Sequence, residues 1–309
     1  MDISAVIVSF EAQAYLPRCL ESLAGQSVPF RRVVVVDNAS RDASPRLCSS
    51  FPGAEAVLLP ENLGYAAAAN LGIDRAGGDL VLVANADVRL DADFNRRALD
   101  FFARRPQAGL LSPLILRFDG RTVDSAGQER SWALHPRETG YGRPLERLRL
   151  EEKPVFSVCG AATVFRRSAL ERLKMGGEYY DRDFFMFWED FDIGWRAGLL
   201  GMQAWFSPGV IAYHFRSATL ARSLASRLSL ALARPAPLRF HLVKNRWLTL
   251  IKNFRLRRDW RFLPAAAAWD LLWIGALTIR SPKIIIALAR SGPVFRRARE
   301  KRKWLRDHE

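Results

Sequence analysis

The segment Val33-Val34-Val35-Val36-Asp37-Asn38-Ala39-Ser40 decides the fold class of this 309-residue chain. Four consecutive valines predict a strand that is covered on both faces, because a half-exposed strand would alternate with polar residues. The polar residues from Asp37 onwards predict a turn directly after the strand. In sheets of parallel strands, ligands bind outside the carboxyl ends of the strands, so Asp37 lies where a ligand is expected.

Apolar runs on both sides of this segment extend the pattern. Three of them, at residues 3–8, 56–59 and 80–83, predict strands. Two further stretches, at residues 64–76 and 91–104, have helical spacing. A β-α-β-α order implies an α/β fold with a mostly parallel sheet and right-handed crossovers. The last of these strands ends at Asn85-Ala86-Asp87, so Asp37 and Asp87 are expected on the same edge of the sheet.

The next hundred residues have a mixed, strand-rich pattern. We expect strands at 155–164, 203–206 and 210–214, and a helix from Glu189 to Leu200 that ends at Gly201. Small residues at Gly160-Ala161-Ala162, inside the first of these strands, indicate a backbone that another group approaches closely.

Basic charge is concentrated in the last third of the chain. Residues 217–309 carry 21 Lys and Arg against five Asp and Glu, whereas residues 1–216 carry 26 against 27. This split predicts a body at 1–217, with halves at 1–105 and 106–217, and a basic, amphipathic helical tail at 218–309. Three scattered cysteines and a start without signal-peptide features favour a cytoplasmic protein.

Six short segments occur in a fixed order through the body. They are Val33 to Ser40, Asn62-Leu63-Gly64-Tyr65-Ala66 with Asn70, Asn85-Ala86-Asp87, Gly160-Ala161-Ala162, Trp188-Glu189-Asp190-Phe191-Asp192, and His214. This order and spacing resemble glycosyltransferase family 2, in particular its rhamnosyltransferase-like and galactofuranosyltransferase-like members. The resemblance covers residues 1–217 and implies a GT-A fold and an inverting transfer of a sugar from a nucleotide-sugar donor.

The resemblance implies a donor site built on the first half. Asp37 would accept hydrogen bonds from the base or ribose, although a turn residue that satisfies local amides has the same sequence pattern. The amides of the 62–65 segment would face the nucleotide, or simply begin a helix. Further substrate contacts are expected from Asn38, Asn62, Gly64, Asn70, Asn85, Gly160 and Ala161.

The departing diphosphate requires neutralisation, for which a divalent metal, Mg²⁺ or Mn²⁺, is suited. Asp87 is the expected carboxylate ligand. His214 matches a family position that contributes a second ligand, and imidazole suits Mn²⁺ better than Mg²⁺. Asn85 stands where the family usually has an acidic residue, which removes one charge from this site.

The resemblance points to Asp190 as the base that takes the proton of the acceptor hydroxyl. Glu189 and Asp192 would support it or contact the acceptor, and Trp188 would form an aromatic wall for a sugar ring. Acidic residues are also favoured in the first turn of any helix, and Trp188 could equally belong to the core.

The tail has three interpretations. Residues 263–279 are almost entirely apolar but short for a membrane span and interrupted by Asp270, while flanking Trp, Arg and Lys residues suit a helix on an anionic membrane surface. A nucleic-acid arm would not need the apolar stretch. A buried interface of an oligomer is the third interpretation. We therefore expect a peripheral protein on the inner face of the plasma membrane, without a nucleic-acid partner.

The resemblance and the basic tail together predict a transferase that moves a sugar to a lipid-linked glycan in cell-surface polysaccharide synthesis, and the resemblance alone implies rhamnose as the first choice of sugar. Two alternatives remain at this point: a non-catalytic protein that binds nucleotide-sugars or glycans, and a nucleic-acid binder that acts through its basic tail.

Overall fold

A computed structural model describes residues 1–215 and 235–309 of the chain. The expected boundary between body and tail, at 217, lies outside the described residues, as do residues 218–234 of the tail.

The first half is a parallel sheet with helices between its strands. Residues of β1 (Ile3–Ser9) pair with those of β2 (Val33–Asp37) on one side and of β4 (Leu80–Asn85) on the other, and β3 (Ala54–Leu58) extends the sheet beyond β2. All seven residues of β1 are buried, because helices cover both faces of the sheet. The expected mostly parallel sheet is therefore confirmed for the elements β1 (Ile3–Ser9), α1 (Leu16–Ala24), β2 (Val33–Asp37), α2 (Ser44–Ser50), β3 (Ala54–Leu58), α3 (Tyr65–Ala76) and β4 (Leu80–Asn85).

The second half extends the sheet from β4. Its elements are β5 (Val88–Leu90), α4 (Phe94–Arg104), β6 (Ala108–Arg117), β7 (Val123–Ser125), β8 (Gln128–Arg130), β9 (Pro136–Glu138), β10 (Lys153–Val155), β11 (Ala162–Arg166), α5 (Arg167–Leu173), α6 (Glu189–Leu199) and β12 (Gln203–His214). β11 lies antiparallel between β4 and β6, and β12 runs parallel to β6. β8 and β9 form a separate hairpin.

Three expectations about element bounds are wrong. The strand expected at 155–164 is two strands, because the chain between β10 and β11 leaves the sheet to contact α6, where the Ser157 hydroxyl donates to the Asp190 carbonyl. The two strands expected at 203–206 and 210–214 are the single strand β12, with a shift in pairing between Ser207 and Ile211. The helix expected from Asp91 begins at Phe94.

Five helices follow in the described part of the tail: α7 (Ala236–Asn253), α8 (Leu256–Asp259), α9 (Leu263–Arg280), α10 (Pro282–Ala289) and α11 (Gly292–His308). Among the described residues, one helical stretch, Leu256–Ile279, is long and apolar enough to cross a membrane by length and composition, and 28% of it is buried within the protein. Since the core helix of a soluble protein passes the same test, this finding does not place the chain in a membrane.

A network of buried charges joins α7 to the body. Lys252 of α7 is fully buried, with its Nζ 2.5 Å from Oδ2 of Asp181 and 3.0 Å from Oδ1 of Asp192. Asp192 also pairs with Arg196, and Lys301 of α11 reaches Asp181 at 2.6 Å. Removing one member of such a network leaves an uncompensated buried charge and costs on the order of 3–5 kcal/mol. Helices α7 and α11, the first and last helices in the described part of the tail, are therefore built into the fold that carries α6.

Candidate active site

One cavity of about 430 Å³ lies beside the carboxyl end of β4 and the first turn of α6. Eight residues that the sequence singles out line it together: Asn85, Asp87, Gly160, Ala161, Trp188, Glu189, Asp190 and His214. Eight further lining residues come from other parts of the chain: Tyr65, Gln128, Pro136, Glu138, Cys159, Met186, Phe187 and Leu242. The cavity therefore combines both halves of the body with helix α7.

The Asp190 carboxylate is held in place by three donors. The amide of Gly160 and the Nε2 of Gln128 donate to its Oδ2 at 2.9 and 2.8 Å, and the amide of Phe191 donates to its Oδ1 at 2.8 Å. Burial raises the pKa of Asp190, and these hydrogen bonds act in the opposite direction without cancelling the rise. The result is a fixed carboxylate with a proton affinity above that of an ordinary aspartate.

The neighbouring Glu189 has a different environment. Its side chain is buried, and its Oε2 accepts no hydrogen bond from the residues that the structure describes. Burial, and next the charge of Asp190, raise the pKa of Glu189 to about 8. Glu189 therefore keeps its proton at neutral pH while it lines the cavity.

Asp87 and His214 face each other across the cavity wall. The Nε2 of His214 lies 3.3 Å from Oδ1 of Asp87, and its Nδ1 lies 2.8 Å from Oδ2 of the buried Asp124. Burial alone would lower the pKa of His214, but the hydrogen bonds with Asp124 and Asp87 raise it to about 9. This carboxylate–histidine–carboxylate line has the chemistry of a divalent-metal site, in which an outer carboxylate orients the ligand histidine.

The donor set fits a metal that completes its coordination with substrate. Within residues 1–215 and 235–309, no group of three or more His, Cys, Asp and Glu side chains is arranged to hold a metal ion. Asp87 and His214 would supply one oxygen and one nitrogen, a set that suits Mn²⁺. The remaining ligands of such an ion are phosphate oxygens and water in sites of this kind.

Three residues expected at the donor site, Asp37, Asn38 and Asn62, do not line the cavity. The Asp37 carboxylate accepts from the amide and hydroxyl of Ser40 at 2.9 and 2.7 Å, so it satisfies its own turn. Asn38 Nδ2 donates to Asn62 Oδ1 at 2.9 Å, and Asn38 Oδ1 accepts from the Leu63 amide. These bonds hold the loops after β2 and before α3 side by side at the carboxyl edge of the sheet. A nucleotide contact from them stays a prediction.

The backbone conformation and the close packing at position 64 require a glycine. It has a φ of 84°, and a Cβ there would lie 2.5 Å from the Phe185 side chain and carbonyl. The Phe185 carbonyl also accepts from the amide of Ala66 in the first turn of α3. The 181–188 loop therefore occupies part of the start of this helix. The amide of Ala66 is bonded to that loop and is not open to a nucleotide.

Two residues expected to contact substrate form hydrogen bonds within the protein. Both ends of the Asn70 amide bond the backbone of Tyr180, at 2.7 Å to its carbonyl and 2.8 Å from its amide. Asp192 is fully buried and its carboxylate bonds Arg196, Lys252 and Asn253. The expected substrate contact of Asp192 is therefore wrong, and its contacts agree with the supporting role that was the other expectation for it. A substrate contact of the half-buried Asn70 stays a prediction.

Three side chains of the site, Gln128, Glu138 and Asp124, are not predicted from the sequence. Gln128 donates from one Nε2 to both Asp190 and Glu138, at 2.8 and 2.9 Å, and Asp124 bonds His214. They lie in the stretch with the mixed pattern, and no local motif marks them. Asp124, Ser125 and Gln128 are all nearly inaccessible to solvent, and this burial of polar residues is seen only in the folded chain.

Comparison with known proteins gives a consistent result. Residues 4–174 match the model of a family described as glycosyl transferase family 2. The chain is 31% identical over 252 residues to the N-acetylglucosaminyl-diphospho-decaprenol L-rhamnosyltransferase of Mycobacterium tuberculosis. That match covers 74% of this chain and 80% of the relative.

Solved structures with this fold include two with nucleotides and metal. GalNAc-T7 with UDP, GalNAc and Mn2+ is similar with a TM-score of 0.59 and 15% identity, over 79% of this chain and about half (48%) of that one. The mannosyltransferase PcManGT of Pyrobaculum calidifontis with GDP-Man and Mn2+ has a TM-score of 0.54 and 19% identity, over 98% and 84%. At these identities the likeness concerns the fold, and the expected GT-A fold is confirmed.

We expect Glu189 to make the fold less stable as pH rises. Its pKa is higher in the folded chain, about 8, than the ordinary 4.5, so the folded state binds the proton more tightly between these values and loses that advantage on deprotonation. Glu189→Gln cannot lose a proton and should lack this decline, whose slope is at most about 1.4 kcal/mol per pH unit. Urea unfolding of both proteins at several pH values between about 5 and 8 measures the difference.

Glu300→Gln is the matched control, because Glu300 is an exposed glutamate of α11. It should follow the wild type at every pH. Parallel stability profiles of the wild type and Glu189→Gln would contradict the assignment of a raised pKa to Glu189.

Proposed function

Since the chain belongs to glycosyl transferase family 2, we propose that it is an inverting transferase in which Asp190 activates a hydroxyl of a lipid-linked glycan. The observation that carries the proposal is the fixed Asp190 carboxylate, which lines the same cavity as Asp87 and His214. A base and a diphosphate-binding pair within one cavity are the two parts that a direct displacement needs.

The proposed chemistry is one displacement. The acceptor oxygen forms a bond to the anomeric carbon of the donor sugar while its proton passes to the Asp190 carboxylate. The bond from that carbon to the diphosphate oxygen breaks, and the nucleoside diphosphate leaves from the opposite side, so the configuration inverts. The pKa of Asp190, raised by burial, makes it a better proton acceptor than an exposed aspartate.

A divalent metal bound by Asp87 and His214 would supply positive charge to the departing diphosphate. Asp124 fixes the His214 ring so that Nε2 points to Asp87. Protonated Glu189 adds no negative charge beside the leaving diphosphate and can donate a hydrogen bond to a substrate oxygen.

The substrate classes rest on similarity. The Mycobacterium tuberculosis relative is a rhamnosyltransferase whose printed name specifies N-acetylglucosaminyl-diphospho-decaprenol. We therefore propose a nucleoside-diphosphate rhamnose-like donor and a polyprenyl-diphosphate-linked sugar acceptor for this chain. A non-catalytic binding protein is the competing function, and transfer assays separate the two.

We expect Asp190→Asn to lower kcat by about 10²–10⁴-fold, because an amide cannot take the proton of the hydroxyl. Donor binding should be retained, since the side chain keeps its shape. The measurement is sugar transfer from dTDP-rhamnose to an N-acetylglucosaminyl-diphospho-polyprenol, with the anomeric configuration of the product read by NMR.

Asp74→Asn, which changes an exposed aspartate of α3, should behave as wild type. Undiminished transfer by Asp190→Asn would remove Asp190 as the base. A wild-type protein that is stabilised by nucleotide-sugars but transfers to no acceptor would favour the non-catalytic alternative.

We expect Asp124→Asn to raise the Mn²⁺ concentration for half-maximal activity by about 10–100-fold, because loss of an outer-shell carboxylate disorients the ligand histidine. His214→Ala should raise it further. A titration of activity against Mn²⁺ and Mg²⁺ measures both, with His308→Ala on the exposed C-terminal helix as the control. Identical titration curves for all four proteins would contradict the proposed metal site.

Localisation at a membrane is proposed from one face of α9. Except for Thr278, whose hydroxyl donates to the Ile274 carbonyl, the exposed residues of this helix up to Ile279 are apolar: Leu263, Pro264, Ala267, Ala268, Leu271, Leu272, Gly275 and Ile279. Exposed Arg257, Arg258 and Arg261 lie before this face, and Lys283 and Arg290 follow it. Apolar surface flanked by cations matches the boundary between the acyl chains and the anionic headgroups of a bilayer.

A helix lying on the membrane accounts for these contacts better than a helix that spans it. The opposite side of α9 packs into the protein through Trp269, Trp273 and Leu277, which are all buried in one cluster with Val243 of α7. Crossing a bilayer would separate these residues from α7. We therefore propose that α9 rests in the inner leaflet of the plasma membrane, where a lipid-linked acceptor is located.

We expect Leu271→Gln combined with Leu272→Gln to reduce binding to anionic vesicles by at least tenfold, because two large apolar side chains leave the acyl region. Arg257→Glu with Arg258→Glu should have a similar effect through charge. Co-sedimentation with vesicles of phosphatidylglycerol and phosphatidylcholine measures binding, and Arg18→Glu with Arg46→Glu, two exposed arginines of the body, is the control.

Tighter, salt-sensitive binding to DNA than to anionic vesicles would instead favour the nucleic-acid interpretation. Equal vesicle binding of wild type and the leucine variants would contradict the proposed face.

A further inference from the structure

The loop that enters α6 has an unusual backbone. Phe185, Phe187 and Trp188 have φ angles of 65°, 68° and 73°, in the left-handed region that residues with a side chain rarely adopt. Phe187 and Trp188 line the cavity, and Glu189 and Asp190 follow at once. The conformation of this loop therefore sets where the cavity wall and the first turn of α6 lie, and it needs an external constraint to persist.

The constraint is supplied by a single side chain of α7. Asn245 is fully buried, and its Nδ2 lies 2.9 Å from the carbonyl of Phe184, 2.6 Å from that of Met186 and 2.8 Å from that of Phe187. The two hydrogens of the amide are shared among the three carbonyls. The left-handed conformations of Phe185 and Phe187 turn these carbonyls towards one point, where the Asn245 amide donates to them.

Neighbouring residues of α7 reinforce the same contact. Lys244 donates from Nζ to the Asp183 carbonyl at 2.5 Å, His241 stacks on Phe185 with ring centroids 4.9 Å apart, and Leu242 lines the cavity. His241, Lys244 and Asn245 of α7 thus all contact the loop. Binding of the tail to a membrane would not require these contacts between α7 and the loop.

We propose that Asn245 is a positioning residue of the transfer reaction. By holding the three carbonyls it maintains the left-handed loop, and through the loop it fixes Trp188 and the first turn of α6, which carries the base Asp190. The inference rests on the proposed function and adds that helix α7 is a working part of the active site. Asn245 touches no reacting atom and acts through the loop.

Asn245→Asp tests this directly, since the two side chains have the same shape but a carboxylate cannot donate to carbonyls. We expect kcat for sugar transfer to fall at least thirtyfold, while the KM for the nucleotide-sugar and its thermal stabilisation of the protein change less than threefold. The hydrogen bonds of the Asn245 amide go to the 184–187 carbonyls and not to the loops after β2 and β4, which is why donor binding should be retained.

Asn95→Asp is the matched control. Asn95 is also fully buried and also donates from Nδ2 to a carbonyl, that of Val28, but it lies on α4. It should lower the unfolding temperature while leaving kcat within about twofold of wild type. Equal losses of kcat in the two variants would overturn the positioning role, because they would reflect loss of stability alone.

Asn245→Gln covers the case in which Asn245→Asp does not fold. It retains both donors one methylene further out, so it should fold with a lower kcat and an unchanged donor KM. A folded Asn245→Gln or Asn245→Asp with wild-type kcat overturns the inference. Absence of transfer by the wild-type protein would overturn the proposed function itself, and that result is distinguishable from the first.

Discussion

The hydrogen bonds to the Asp190 carboxylate are the interaction on which the site depends. They join three segments that are distant in sequence: the amide of Gly160 before β11, the side chain of Gln128 in β8, and the amide of Phe191 in α6. The approach is so close that a Cβ at Gly160 would lie 3.1 Å from Cβ and Oδ2 of Asp190, tighter than most real Cβ contacts. The small residues at 160–162 therefore mark the approach of the Asp190 side chain, and a carboxylate in this position cannot move without moving the sheet edge and the hairpin.

The orientation of Asp190 is in turn set by its own helix. Residues two positions apart on a helix do not face the same side, so Asp190 points to the cavity while Asp192 points to α7 and its Lys252. The acidic segment at 189–192 thus divides into a part that lines the cavity and a part that anchors the helix. Because the anchor includes a fully buried Lys–Asp pair, rotation of α6 would expose unpaired charge to the core, which is costly.

The sequence predicts most of the first half because its signals are local. Runs such as Val33 to Val36 define buried strands, their order defines a parallel sheet, and the strand ends place Asp37 and Asn85 on one edge, as the pairing of β1 with β2 and β4 confirms. The second half depends on contacts across long separations. Neither the 62-residue separation between Gln128 and Asp190 nor the role of Asp192 leaves a periodic trace. The resemblance therefore leaves Asp192 as either a support of Asp190 or an acceptor contact, and Gln128 is not identified.

The basic residues of the tail fall into two kinds in the folded chain, buried and exposed. Lys252, Arg246 and Lys301 lie inside the protein and pair with acidic residues, among them Asp181 and Asp270, so they serve the packing of helices against the body. Arg and Lys residues on either side of the apolar face of α9 are exposed. The net charge counted from the sequence includes both kinds of residue and therefore overstates the positive charge that is available to a partner. The internal pairs also hold α7 and α11 to the body. The helix proposed to contact the membrane, α9, therefore packs against α7, the same helix that holds the 181–188 loop.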